Sequence, residues 1–129
     1  MESEPSAVDP VTSLIRNLRS SPDLRATIRV WSTVSSHASA AQSLSPDSMR
    51  RVLQSVTVST DQILVAKELA ALVQPCTCAH VVAALDVCPS VVTEVASCMV
   101  PYVQDKENKF FVLGLLPESD QNKVDSIFV

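Results

Sequence analysis

Apolar residues recur at helical spacing along almost the whole chain. Val11, Leu14, Ile15 and Leu18 fall at i, i+3, i+4 and i+7 behind Asp9-Pro10, which offers an N-cap side chain and a proline at the first helical position. Ser21-Pro22-Asp23 repeats that start signal with an acid near the positive end of the helix dipole, and Leu24, Ile28, Trp31 and Val34 form the next stripe. Between Ser32 and Ser45 the composition turns to Ser and Ala, so the stripe weakens and the helix is expected to fray into a linker. Ser45-Pro46-Asp47 then gives the start signal again, and Met49, Val52, Leu53 and Val56 restore the helical period.

Beyond this point the pattern returns on itself. Thr60-Asp61, Ser90-Val91 and Ser119-Asp120 each open a helical stretch, at intervals of 30 and 29 residues. Leu64, Val65, Leu69 and Leu72 follow the first, Val91, Val95, Cys98 and Met99 the second, and Val124, Ile127 and Phe128 the third. Intervening helices are predicted over Thr77 to Val87, with Val81, Val82 and Leu85, and over Glu107 to Leu116, with Phe110, Phe111 and Leu115. The unit is a pair of short helices, although any bundle with short connections can produce such spacing by accident. The predicted class is all-α, with seven or eight short helices forming paired hairpins stacked as a compact bundle or a short solenoid. Residues 1–44 form an N-terminal helical segment, packed as one unit with a helical-pair domain over 45–129.

The stretch Ser45 to Val129 contains the segments STDQILVAKELAALV, TCAHVVAAL and YVQDKENKFFVLGLLPESDQNKVDSIF. In helix pattern it resembles a helical-repeat domain of unknown function, about ninety residues long. The resemblance implies a helical-repeat fold and supplies no catalytic residue to carry over. Val91 stands where the other two starts have Asp, and residues 1–44 have no counterpart in it.

Composition narrows the reading. The single glycine, Gly114, excludes folds built on hairpin turns, phosphate-cradling loops or dinucleotide-binding turns, all of which need residues that adopt positive φ cheaply. With 129 residues the chain suits one core, and its five aromatics (Trp31, Tyr102, Phe110, Phe111, Phe128) leave Val, Leu and Ala to fill it. Residues 1–56 hold all six arginines against five acids, and residues 57–129 hold four lysines against nine acids. Neither half has the basic footprint and stacking aromatics that nucleic-acid binding requires. The acidic N-terminus does not read as a signal peptide, and no apolar run approaches the ~20 residues of a membrane span. The protein is therefore expected to be cytoplasmic, with its four cysteines as thiols and no cofactor.

Two clusters could carry function. Cys76, Cys78 and His80 make a C-x-C-x-H group of zinc-type ligands, but C-x-C directs neighbouring side chains apart where zinc modules use C-x2-C grips. Cys76 and Cys78, beside Pro75, are expected at an exposed turn, His80 on a helix surface, and Cys98 in the core. Acid pairs such as Glu118-Asp120 and Asp105-Glu107 read as first-turn acids and solvated loops, not as general acid and base.

The other cluster is Phe110, Phe111, Leu113, Leu115 and Leu116, which makes its helix apolar nearly all round. Burial on every side is hard to arrange in so small a domain. The leading expectation is a non-catalytic adaptor or assembly subunit whose protein partner docks there. Arg25 and Arg29, among the arginines of the first helices, offer a second contact for acidic groups. A zinc- or thiol-dependent protein organised around Cys76, Cys78 and His80, and a homo-oligomeric scaffold, are the alternatives.

Overall fold

In a computed structural model, which describes residues 10–128 apart from the side chains of Ser35 and Ser36, the apolar stripes become nine α-helices joined by short turns. They are α1 (Pro10–Ser20), α2 (Leu24–Thr33), α3 (Ser35–Gln42), α4 (Pro46–Gln54) and α5 (Ser59–Leu72). After these come α6 (Cys78–Val87), α7 (Val92–Met99), α8 (Lys109–Leu113) and α9 (Glu118–Ile127). Two 3-10 turns, Val100–Tyr102 and Lys106–Asn108, link α7 to α8. No strand occurs among the described residues, only an isolated bridge between Cys76 and Val103. The fold is all-α, and none of these helices is long and apolar enough to cross a membrane.

Local chemistry sets several boundaries. Asp23 caps α2 by accepting the Ala26 N–H at 3.1 Å, and Ser45 caps α4 by accepting the Ser48 N–H at 3.1 Å, with Pro46 in the first turn. Pro10 is the first residue of α1, while Asp9, its expected cap, lies outside the described residues. The recurring start signals of the second half act differently. The residues at the cap positions are Val58, Val91 and Pro117, none of which makes a side-chain capping bond, and Asp61 and Asp120 lie within the first turns. Asp120 instead accepts a hydrogen bond from the Thr93 hydroxyl at 2.8 Å and ties α9 to α7.

Two segments depart from the sequence expectation. The Ser/Ala stretch is no linker but helix α3, which buries Ala41. Good intrinsic propensity of its alanines replaces a strong apolar stripe. The helix expected over Glu107 to Leu116 is a 3-10 turn followed by the five-residue α8, which closes at Gly114 with φ −65°, an ordinary helical value.

Packing follows an alternation. α4 packs most extensively on α6, α1 meets α4, and α6 meets α8; likewise α2 meets α5, α5 meets α7, and α7 meets α9. Hairpins α1/α2, α4/α5, α6/α7 and α8/α9 thus form successive layers, with α1, α4, α6 and α8 in one row and α2, α5, α7 and α9 in the other. α3 lies against α1, α2 and α5. Core side chains between the rows include Leu14, Ile28, Met49, Leu53, Leu69, Val81, Val95 and Met99, each fully buried. The Trp31 indole N–H donates to the Pro10 carbonyl at 3.1 Å, which satisfies the one polar atom of a ring otherwise packed in the core.

Candidate functional site

Residues 110–116, α8 and the turn after it, divide into buried and exposed side chains. Val112, Leu113 and Leu116 point into the core, so Leu113 and Leu116 are removed from the surface expected of them. Phe110 and Phe111 are 73% and 70% exposed and Leu115 is 49% exposed. Phe110 lies under the Lys109 ammonium, 5.6 Å from the ring centroid, and that ammonium also pairs with Asp125 at 2.8 Å. Phe111 of α8 and Leu115 of the turn that follows it form one wall of a groove of about 650 Å³.

The rest of the groove comes from the row to which α8 belongs. Ala79, Val82 and Ala83 of α6 form its floor, and Pro46 and Arg50 of α4 form the opposite wall. A second hollow of about 380 Å³ shares Arg50, Val82 and Leu115 and extends past Asp86 to Val92. The sequence carried a signal for this floor: CAHVVAALDV is apolar on every side, more than α4, α7 and α8 together cover.

Carboxylates mark the two ends. Near the start of α6, Asp105 Oδ1 accepts the Cys78 N–H at 2.7 Å and Oδ2 accepts from Asn108 Nδ2 at 2.9 Å. Burial would raise the Asp105 carboxyl, but these hydrogen bonds outweigh it and hold the group below the usual carboxylate range. Both donors are neutral, and the Cys78 N–H belongs to the first turn of α6, whose partly positive end offsets the carboxylate only in part. Near the end of α6, Arg50 bridges Asp86, at 3.2 Å, and Asp47, and these two carboxylates are 65% and 83% exposed. One guanidinium between two carboxylates leaves that end negative as well.

The cysteine–histidine cluster is not an exposed turn. Cys76, Cys78 and His80 are all buried, the two cysteines because the loop leading to α8 folds over them: Gln104 N–H donates to the Cys76 carbonyl at 2.9 Å, and the Cys78 thiol lies 3.4 Å from the Asp105 carbonyl. His80 is a core residue and not a helix-surface one. Its Nε2 lies 2.6 Å from the Leu44 carbonyl, which can only accept, so the ring proton is on Nε2. Nδ1 then accepts the Thr77 N–H at 3.2 Å. Both ring nitrogens are thus engaged, and no group of three or more His, Cys, Asp or Glu among the described residues is placed to hold a metal ion.

Burial, reinforced by the Asp105 charge, pushes the Cys78 thiol up to about 12 and the Cys76 thiol up to about 11; burial alone takes Cys88 to about 11. Such thiols are protonated at neutral pH and poor nucleophiles. Cys98, expected in the core, is only half-buried.

Arg25 and Arg29 belong to the other row. Both reach the Glu68 carboxylate of α5, at 3.4 and 3.3 Å, and the structure does not bring them to the Phe111 groove. A hollow of about 750 Å³ on that row, between α7 and α9, has the half-buried Ile63, Val92 and Ile127 on its walls and exposes no large apolar side chain. Beside Trp31, Val30 and Val34 are exposed at 64% and 41%, but they present less apolar surface than two phenylalanine rings. Among protein-family models, curated proteins and solved structures, none matches this chain.

Proposed function

We propose that this protein is a non-catalytic interaction module, an adaptor or assembly subunit, whose protein partner docks in the groove between α4, α6 and α8. The observation that carries this reading is Phe111, 70% exposed beside Leu115, on the wall of a groove whose floor is Ala79, Val82 and Ala83. On the groove wall, Phe111, a ring of about 200 Å², presents roughly 140 Å² of apolar surface. Burial at about 25 cal/mol per Å² gives on the order of 3.5 kcal/mol from this ring before the costs of association, to which Leu115 and the floor add. Phe110, directed away from the groove, serves as a rim residue.

The thiol and zinc alternative finds less support, since the thiols are buried and protonated and both His80 nitrogens are committed inside the fold.

The test is a quantitative pull-down of the tagged chain at native abundance, comparing wild type with Phe111→Asp and with Arg16→Ala as a control on the exposed surface of α1. A stoichiometric partner retained by Arg16→Ala and lost by Phe111→Asp supports the reading, provided circular dichroism shows the variant folded. A partner retained by the folded Phe111→Asp chain rejects the groove as the docking site. Light scattering of the purified protein covers the remaining alternative, in which a mass above 13.9 kDa that Phe111→Asp reduces identifies a second copy as the occupant.

A further inference from the structure

We infer that the groove is specific for a basic amphipathic helix, with cationic residues seven or eight positions apart and apolar side chains between them. This rests on the docking reading above and deepens it. The inference comes from the order of chemistry along α6. At its start lies Asp105, whose charge is stabilised by two neutral donors and cancelled by neither. At its end lies the Asp47–Arg50–Asp86 group, two carboxylates on one guanidinium. Between them the surface is Ala79, Val82 and the side of Phe111.

From Cys78 to Asp86 the helix rises about 12 Å, which is the rise of about eight residues of an occupant lying alongside it. Lysine or arginine at the two ends of such a segment meets the Asp105 carboxylate at one end and the two carboxylates on Arg50 at the other. Leucine, isoleucine or phenylalanine in the middle covers Val82 and Phe111. The small floor residues Ala79 and Ala83 allow the backbone of an occupant to approach closely, as small residues do at helix–helix crossings.

The same charges argue against a second copy. A two-fold interface places each patch on its own equivalent, and here acidic ends would face acidic ends. An acidic partner meets the same repulsion. The acidic balance of residues 57–129, nine acids against four lysines, extends that preference beyond the groove.

The test uses the full chain and a random 16-residue peptide library, panned on wild type with Phe111→Asp as counter-selection. The peptide enriched most is then labelled and titrated by fluorescence anisotropy against wild type, Phe111→Asp and Asp86→Asn at low and high salt. The enriched peptides are expected to carry Lys or Arg seven or eight apart around apolar residues. Loss of the buried aromatic anchor weakens binding about tenfold or more. Loss of one exposed carboxylate weakens it by up to about fivefold, and added salt lowers the affinity. Asp86→Asn, on the solvated rim, keeps the test decisive should Phe111→Asp prove unfolded. Phe111-dependent peptides that are neutral or acidic, or binding that neither Asp86→Asn nor salt alters, would overturn the basic-helix inference and leave the docking reading standing. Recovery of no peptide that depends on Phe111 or Asp86 would overturn both.

Discussion

Adjacent parts of one short segment differ sharply in what they do for stability, and Phe111→Asp compared with Leu116→Ala exposes that difference. Phe111 is already 70% exposed. Folding removes only roughly 60 Å² of a ring of about 200 Å² from water, so at about 25 cal/mol per Å² its loss costs no more than about 1.5 kcal/mol. Leu116 is 5% exposed, and truncating a buried leucine to alanine costs about 2–5 kcal/mol through lost transfer energy and the cavity left behind. Urea denaturation followed by circular dichroism measures both. The midpoint of Leu116→Ala is expected well below that of Phe111→Asp, with the slope unchanged in each, because the slope reports the surface exposed on unfolding. Should Phe111→Asp cost as much as Leu116→Ala, Phe111 is a core residue, and the docking groove is refuted along with the division of residues 110–116 into wall and core.

Four further outcomes follow from the structure. His80→Ala leaves the buried Leu44 carbonyl and the Thr77 N–H without their ring partner, and a loss of about 1–3 kcal/mol is expected in the same denaturation assay. The Glu68 carboxylate, 14% exposed, faces the two largely solvated arginines Arg25 and Arg29, and Glu68→Gln is expected to cost under about 1 kcal/mol, with the difference shrinking in high salt. The thiols give the alkaline limit. Cys76, Cys78 and Cys88 have folded values of about 11, 12 and 11, above the ordinary 9.0, so their contribution is fully present below pH 9 and is lost as the pH rises through 11 to 12. Thermal melts across pH 8 to 11 are expected to show falling stability, and iodoacetamide at neutral pH to label Cys98 before the other three.

The helices and most of the core were legible in the sequence because the 3.6-residue period of residues such as Leu14, Leu18, Val52, Leu53, Val65 and Leu69 is strong and local. α3 was not, since a helix whose only buried apolar residue is Ala41 writes almost no stripe. The burial of Cys76, Cys78 and His80 was hidden for another reason. Their covers are distant in sequence: Asp105 is 27 residues from Cys78, and Leu44 is 36 from His80. The excess apolar surface near residue 110 was visible, but assigning Leu113 and Leu116 to the core and Phe111 and Leu115 to the wall depends on where α8 ends and the following turn begins. The acidic ends of the groove lie on elements that only the packing of α4, α6 and the 100–108 loop brings together.

The layered order of the hairpins has a kinetic consequence. In a stack, an inner pair is supported on both sides, whereas among the described residues α8/α9 packs chiefly on α6/α7 and the 3-10 turns that follow α7. Its backbone amides can therefore exchange with solvent by an opening that leaves the inner layers closed, at a free energy below that of global unfolding. The amides of Val112 and Gly114 would then exchange ahead of those of Leu69 or Val81. An occupant that spans α4, α6 and α8 would act as a clasp across this boundary, so its arrival would be read as slowed exchange in α8 and α9 while the first two layers stayed as they were.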